Sequence, residues 1–498
     1  MPKAKWLKGF GSRVALLSRY VSPSLLAASL VLIITVFALF VPPYIGMADN
    51  GDYFRVLYSN GLYFNNPEYD SLYLGYFNKA FGIFQYYNEN GATLTSSQSL
   101  LIRLSVWVNQ WFDKQVFDIR VQGALLVLLY TVGVYLFVEA LTWKVKPKYG
   151  YWVAVLAVFL FADTAYTAYF NSFFSESMVW IMLIYLFASG LLLYRKRYPD
   201  YMMMIVFFIS GLLLTTSKQQ NAPVGIIVAV IGIIFIFVRK QRIYRTFVAS
   251  SLVLLMLTGI ATYVLIPKEF VNINKYHAMT RGVLMQSEDP EETLKSFGID
   301  KQYAILNGSI YYEPYTTVDV NSQILENNFY NHYGFASILA YYVSHPDQAG
   351  KMMDLAAKNA FTIRPSAMGN YEKSVGKPFG AQSMFFSGYS ELKKALAPKT
   401  FGFIIIWILV VAGLYTPQFA AAVKAKHVRG MVRLPLILML MLMGLSGILV
   451  SIIGAGDADL SKHEFLFTAA FDLVTFTAVA DAICRNLWHD QPAEYESA

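Results

Sequence analysis

Long apolar stretches alternate with short polar ones along this chain, and their lengths are those of membrane spans. About 20 apolar residues cross the hydrocarbon of a bilayer as a helix. Ten runs approach that length, near 23–43, 121–141, 149–163, 177–194, 201–217, 222–238, 246–266, 400–419, 433–453 and 466–484. The first follows a basic stretch (Lys3, Lys5, Lys8, Arg13, Arg19), as a secretory signal would. Its apolar core is too long for one and ends in Val41-Pro42-Pro43 without a small-residue cleavage site, so a retained anchor is expected. Two long polar segments, about 44–120 and 267–399, separate the runs; both are rich in Tyr, Asn, Phe and Gly. Helical stretches are expected around 289–297 and 335–361, and turns at Asn307-Gly308 and Gly369-Asn370. The pattern predicts an all-α polytopic membrane protein with about ten transmembrane helices and two large, mainly helical extracytoplasmic loops. It divides into an N-terminal seven-helix module over 1–266 that includes loop 44–120, an outer segment over 267–399, and a three-helix module over 400–498.

Charge fixes the expected orientation. Lys144, Lys146 and Lys148, then Arg195-Lys196-Arg197, Arg239 to Arg245 and Lys424 to Arg433 fall on every second loop, and loops rich in Lys and Arg face the cytoplasm. The alternate short loops, 163–177, 218–222 and 454–465, carry only Lys218 and Lys462 as bases. Both termini are then expected inside, the two long segments outside, and the chain in a bacterial plasma membrane. Composition agrees: 56% of the 498 residues are hydrophobic and 14% charged, which excludes a soluble globular protein. The net charge of +8 sits in short clusters between apolar runs, so nucleic acid is not an expected partner. The single cysteine, Cys484, can form no internal disulfide, and the six histidines show no HExxH spacing.

The candidate chemistry gathers on the outer loops. After the first span stands Ala48-Asp49-Asn50-Gly51-Asp52-Tyr53-Phe54-Arg55, two carboxylates three residues apart followed by a guanidinium. An acid between hydrocarbon and a folded loop is partly desolvated and more basic, and can remove a hydroxyl proton; the bland alternative is that Asp49 caps a helix and Arg55 pairs with it. The second outer loop runs from Asp163 through Asn171 to Glu176, two acids without a base. A divalent cation or a cation from another loop would balance them, although no feature demands a metal. The third turn, Lys218-Gln219-Gln220-Asn221, suits a lipid-linked phosphate or a snorkelling lysine equally. The last loop offers Asp457, Asp459, Lys462, His463 and Glu464, with His463 a proton shuttle, a phosphate contact or a solvated residue. Asp472, about two turns into the last span, is expected to pair with a base. Arg281, His277, Arg364, Asn370, Tyr371 and Glu372 are candidates for sugar or phosphate contacts.

These residues resemble the GT-C superfamily of membrane glycosyltransferases: Gly51-Asp52-Tyr53 followed by Arg55 looks like the acidic first outer loop of its lipid-linked-sugar enzymes. Over nearly its full length the chain resembles the bacterial glycan-biosynthesis hexose transferases named Wsf-D, through Ala48-Asp49-Asn50-Gly51-Asp52, Asn171-Ser172-Phe173-Phe174-Ser175-Glu176, Ser217-Lys218-Gln219 and Lys462-His463. The resemblance implies transfer of a hexose to a cell-surface glycan acceptor, with Asp52 as the catalytic acid and Asp49 its neighbour. Because nucleotide sugars are cytoplasmic, an outer-face site must draw its donor from a membrane lipid, and a polyprenyl-phosphate hexose fits. Asp52 would take the acceptor proton in an inverting displacement; Lys218, Arg55, Lys462 or His463 would neutralise the departing phosphate; Asp163, Asn171, Glu176, Gln219, Arg364, Asn370 and Tyr371 would hold sugar or acceptor. A lipid-linked-glycan flippase or other transporter, and a surface-polysaccharide polymerase or ligase, are the competing readings.

Overall fold

The computed structural model describes residue 18 and residues 20–86, 96–313 and 315–489. Every apolar run becomes helix. The helices that carry the argument are α1 Pro23–Phe40, α2 Tyr53–Ser59, α3 Gln98–Asn109, α4 Ile119–Thr142, α5 Pro147–Phe161, α6 Glu176–Tyr194, α7 Asp200–Thr215, α8 Gln219–Phe237, α9 Arg242–Val264, α10 Lys268–His277, α11 Phe335–Ser344, α12 Pro346–Asn359, α13 Gly388–Leu396, α14 Phe401–Lys424, α15 Val428–Ala455, α16 Leu460–His463 and α17 Phe465–Cys484. Among the described residues eight are long and apolar enough to cross a membrane (α1, α4, α6, α8, α9, α14, α15 and α17), so the chain is a multi-pass membrane protein.

Two of the ten expected spans differ. The run at 149–163 gives α5, only 15 residues, which breaks at Ala162-Asp163 and continues at a 48° bend through Thr164–Asn171. The Asp163 carboxylate accepts from Ala165 N at 2.8 Å, starting the second piece in place of the α5 ladder. The run at 201–217 gives α7, 16 residues or about 24 Å, short of a hydrocarbon thickness of about 30 Å. Asp200 at its start is fixed by Arg429, whose Nη1 and Nη2 reach Oδ1 and Oδ2 at 3.0 and 2.9 Å, which sets where the helix begins.

Helix α6 is the axis of the bundle, buried over nearly its whole length and packed by α4, α7, α15 and α17. Its last turn sits among ion pairs that tie the far helix ends together: Arg197 to Glu139 at 2.8 Å, Arg429 to Asp200, and Arg433 to Asp481. A charge in that apolar interior is tolerated because it is paired. Asp472 in α17 follows the same rule, as expected, pairing at 2.7 Å with Lys393, which α13 inserts from the second polar segment.

The first polar segment adds a small sheet to its helices. It holds a three-stranded antiparallel sheet, β1 Leu62–Tyr63, β2 Ala80–Ile83 and β3 Val116–Asp118, with β2 in the middle. Phe81 and Phe117 are register partners across β2 and β3, are fully buried, and both pack on the Phe173 ring, which seats the sheet on the helices. The second segment is mainly helical. Its 335–361 stretch is split into α11 and α12 at His345-Pro346, since proline lacks the N–H that a continuing helix needs. The two segments interlock: Ile45 bridges to Tyr371, Gly46 N donates to Asn370 O at 3.1 Å, and Ala48 N to Gly369 O at 3.0 Å. Helix α3, packed against α4, turns Leu100, Leu104 and Trp107 outward, with Trp111 and Phe112 just beyond its end.

Candidate functional site

The loop after α1 is held by its own side chains. The Asp49 carboxylate is buried; Oδ1 accepts from Gly51 N (2.9 Å) and Tyr53 N (3.1 Å), and Oδ2 from the Tyr69 hydroxyl. Asp49 therefore caps α2 from three residues ahead, which is its bland reading, and it is not free to face a substrate. Burial, opposed by these donors, leaves its carboxyl above the ordinary value. Gly51, at φ +100°, makes the turn that lets the chain double back, a conformation closed to residues with a Cβ. Asp52 then stands at the head of α2 yet caps nothing: its side chain points outward and is 48% exposed.

What Asp52 meets is Lys462 from the loop between α15 and α17, with which it forms an ion pair. Lys462 is 5% exposed; its ammonium lies 4.6 Å over the Phe174 ring and 3.4 Å from Asn50 Oδ1. Burial by itself would raise the Asp52 carboxyl, but Lys462, with Lys218 and Arg55 behind it, brings it down to about 2. The sequence-level expectation of a more basic acid is thus reversed here, because the cations outweigh desolvation. Arg55, one turn along α2, is 3.7 Å from Asp52; its guanidinium donates to the Tyr312 hydroxyl at 2.7 Å and lies 4.9 Å over Phe270, both in the second segment.

A narrow cleft opens beside this pair, lined by Glu176, Lys218, Gln220, Asn221, Lys462 and His463 and with about 10 Å³ of free volume, room for one water. Lys218, at the turn between α7 and α8, donates to Glu176 Oε1 at 2.7 Å, while Glu176 Oε2 is buried without a protein partner. That oxygen is an acceptor waiting for a hydroxyl or N–H. His463 Nδ1 is 3.0 Å from Gln220 Oε1, and burial, helped by Lys218 and Lys462, pulls its imidazole down to about 3, so it is neutral at neutral pH. Asp459, in a left-handed conformation (φ 49°), accepts from Asn50 Nδ2 at 3.2 Å; burial raises its carboxyl above the ordinary value despite Lys462.

Of the residues picked from sequence, Asp52, Arg55, Lys218, Lys462, His463 and Glu176 come together here. Asp163 does not: besides Ala165 N it accepts from Ser390 N and Oγ, both at 2.9 Å, and anchors α13. Asn171 donates to Ile45 O at 2.8 Å. Arg364 donates to Asn370 Oδ1 (2.6 Å) and Ser383 O (3.0 Å), Asn370 Nδ2 to Gly46 O (2.7 Å), and Tyr371 O accepts from Phe77 N (2.9 Å). These five, expected as sugar or acceptor ligands, instead brace the two long polar segments and the 163–177 loop internally and against one another. Gln219 is replaced in the cleft by Gln220, whose side chain the tight turn aims inward. Asn50, Gln220 and Asp459 lie in the stretches named from sequence but carried no assigned role there; only their hydrogen bonds single them out. Arg281 grips Asp457 at 2.6 and 2.9 Å, tying the second segment to the loop between α15 and α17, where Gly456 (φ +60°) lies against the Arg281-Gly282 backbone. His277 Nε2 accepts from Tyr311 N at 2.9 Å. Glu464 is fully buried with neither carboxylate oxygen partnered, and burial pushes its carboxyl well up. Among the described residues no three His, Cys, Asp or Glu side chains are grouped so as to hold a metal.

No curated protein matches this chain, and no solved structure does. A family model does, over residues 6–497: the chain belongs to the YfdI N-terminal transmembrane domain family.

Proposed function

We propose that the chain is an integral-membrane hexosyltransferase that moves a hexose from a polyprenyl-phosphate donor to a surface-glycan acceptor on the extracytoplasmic face. The observation that carries this reading is one accessible carboxylate, Asp52, in contact with a buried ammonium, Lys462, at the mouth of a cleft that also holds Lys218 and an unpartnered Glu176 oxygen. Membership in a YfdI-like family supports a membrane protein of glycan processing, and the resemblance to GT-C enzymes supports Asp52 as the acid.

In this scheme Asp52 takes the proton of an acceptor hydroxyl as that oxygen bonds to the anomeric carbon. The bond from that carbon to the donor phosphate breaks, and the phosphate leaves with the electron pair on the opposite face, inverting the centre. Lys462 and Lys218 neutralise the leaving phosphate where little water competes. Glu176 Oε2 takes a sugar hydroxyl, and Asn50 holds Lys462 and Asp459 in place. A cleft of about 10 Å³ has to widen before a sugar enters.

The test supplies radiolabelled polyprenyl-phosphate hexose and acceptor glycan to the purified protein and analyses the product. A glycosylated acceptor of inverted anomeric configuration is expected. Counterflow or flipping of the lipid with no covalent product would replace this reading by transport.

A further inference from the structure

An ion pair at the mouth of the cleft joins the proposed base to the proposed phosphate ligand, and both cannot do their work while joined. We propose that Lys462 and Lys218 form the seat of a phosphate, that in this structure the Asp52 carboxylate occupies it as an internal stand-in, and that an arriving phosphate displaces Asp52 and so frees the base. The coupling of the seat to a base rests on the transferase reading above; the seat and its internal occupant rest on the geometry alone.

Four observations converge. Lys462 is fixed: it is buried, stacked on Phe174 and near Asn50 Oδ1, on the four-residue helix α16 that follows the left-handed Asp459. Asp52 is not fixed. It is half exposed, it follows a glycine in a conformation other residues avoid, and its side chain caps no N–H at the head of its own helix. The other carboxylate touching a cation of the cleft, Glu176, is 2% exposed at the start of α6 and cannot leave Lys218.

Charge adds the third argument. Lys462, Lys218 and Arg55 are balanced by Asp52, Glu176 and Asp459, so an incoming phosphate would overload the site unless one carboxylate withdraws. Asp52 has somewhere to go, since Arg55 stands 3.7 Å away on the next turn. The fourth is functional. A carboxyl at about 2 is a poor proton acceptor at neutral pH, and losing the Lys462 contact raises it toward the ordinary 3.8. Phosphate binding and basicity are then linked, and by reciprocity whatever weakens the Asp52–Lys462 pair tightens phosphate binding.

The size of the effect follows from the pair. Half-exposure screens that contact, so about tenfold is expected for the competition.

The experiment measures binding of polyprenyl phosphate and, separately, of inorganic phosphate to the full chain in nanodiscs. Asp52→Asn is expected to bind polyprenyl phosphate about tenfold more tightly than the unsubstituted chain. Asp459→Asn, which removes an equal charge from the same neighbourhood, is expected to change affinity less than about threefold. Lys462→Met is expected to abolish the gain when combined with Asp52→Asn, and Lys462→Arg, which keeps the charge, to retain it. A gain with inorganic phosphate too supports a seat that reads phosphate alone; a gain confined to the lipid supports a seat to which the isoprenoid contributes. Equal gains from Asp52→Asn and Asp459→Asn, or weaker binding by Asp52→Asn, would overturn the stand-in. If Asp52→Asn tightens phosphate while the unsubstituted chain transfers no hexose, the latch stands and the transferase reading falls.

Discussion

The sequence resemblance favours Asp52 as the base with Asp49 as its neighbour, and the structure gives the two opposite work, so replacing each by asparagine separates them. In Asp49→Asn the amide oxygen can still accept from Gly51 N and Tyr53 N, but the amide nitrogen faces the Tyr69 hydroxyl, a donor, in place of Oδ2. A charge-assisted bond of this kind is worth about 1.5–3 kcal/mol. Relief from burying a carboxylate whose carboxyl burial has raised offsets part of that, leaving a loss of about 1–2 kcal/mol. Asp52→Asn removes a half-exposed partner and leaves an amide oxygen facing Lys462, so stability is expected to change by less than about 1 kcal/mol. Activity is expected to move the other way: loss of a general base lowers turnover about 10²–10⁴-fold, while Asp49→Asn keeps most of its turnover per folded molecule. Thermal unfolding of the purified variants, followed by hexose transfer measured on the folded fraction, reads both effects. A melting curve unchanged by Asp49→Asn together with abolished transfer, or full transfer by Asp52→Asn, would refute the division of labour.

Lys218→Met leaves Glu176 buried with both oxygens unpartnered and is expected to destabilise by about 3–5 kcal/mol, most of it recovered by adding Glu176→Gln; denaturant or thermal melts of the single and double variants check this. His277, lowered to about 4 by burial and by Arg281, binds a proton less readily folded than unfolded, so stability is present above about pH 6.5 and lost as pH falls toward 4. Melts over that window should show the decline, and His277→Asn should flatten it by about 2 kcal/mol. Glu464 has the opposite sign: its raised carboxyl binds a proton more readily when folded, so its penalty grows as pH rises above the ordinary 4.5. Glu464→Gln is expected to raise the neutral-pH melting point, by about 1–3 kcal/mol in stability, and to matter little at pH 4. The outward row Leu100, Leu104, Trp107 and Trp111 suits α3 to the bilayer interface; brominated lipids should quench the emission of a variant keeping only Trp107 and Trp111, and unchanged emission would place the helix in water.

The amino-acid pattern alone determined the membrane character and the eight helices long enough to span, because a span is a local property: hydrocarbon demands an unbroken apolar stretch whatever surrounds it. It did not decide that α5 would break at Asp163 or that α7 would stop at 16 residues, since those ends are set by a hydrogen bond to Ala165 N and an ion pair with Arg429, not by hydropathy. The site divides in the same way. The residue types were legible, a carboxylate after the first span and cations on later loops, and so was their common side. Which of them meet was decided by the fold, since Lys462 reaches Asp52 across 410 positions of chain and Asn370 spends its amide on Gly46 across 324. Tertiary contact also reversed the chemistry of Asp52, whose desolvation predicts a stronger base until Lys462 is placed against it. Whether a polar side chain braces a loop or faces a cleft depends on which donors and acceptors are left unpaired after folding, and that balance exists only once distant segments have packed.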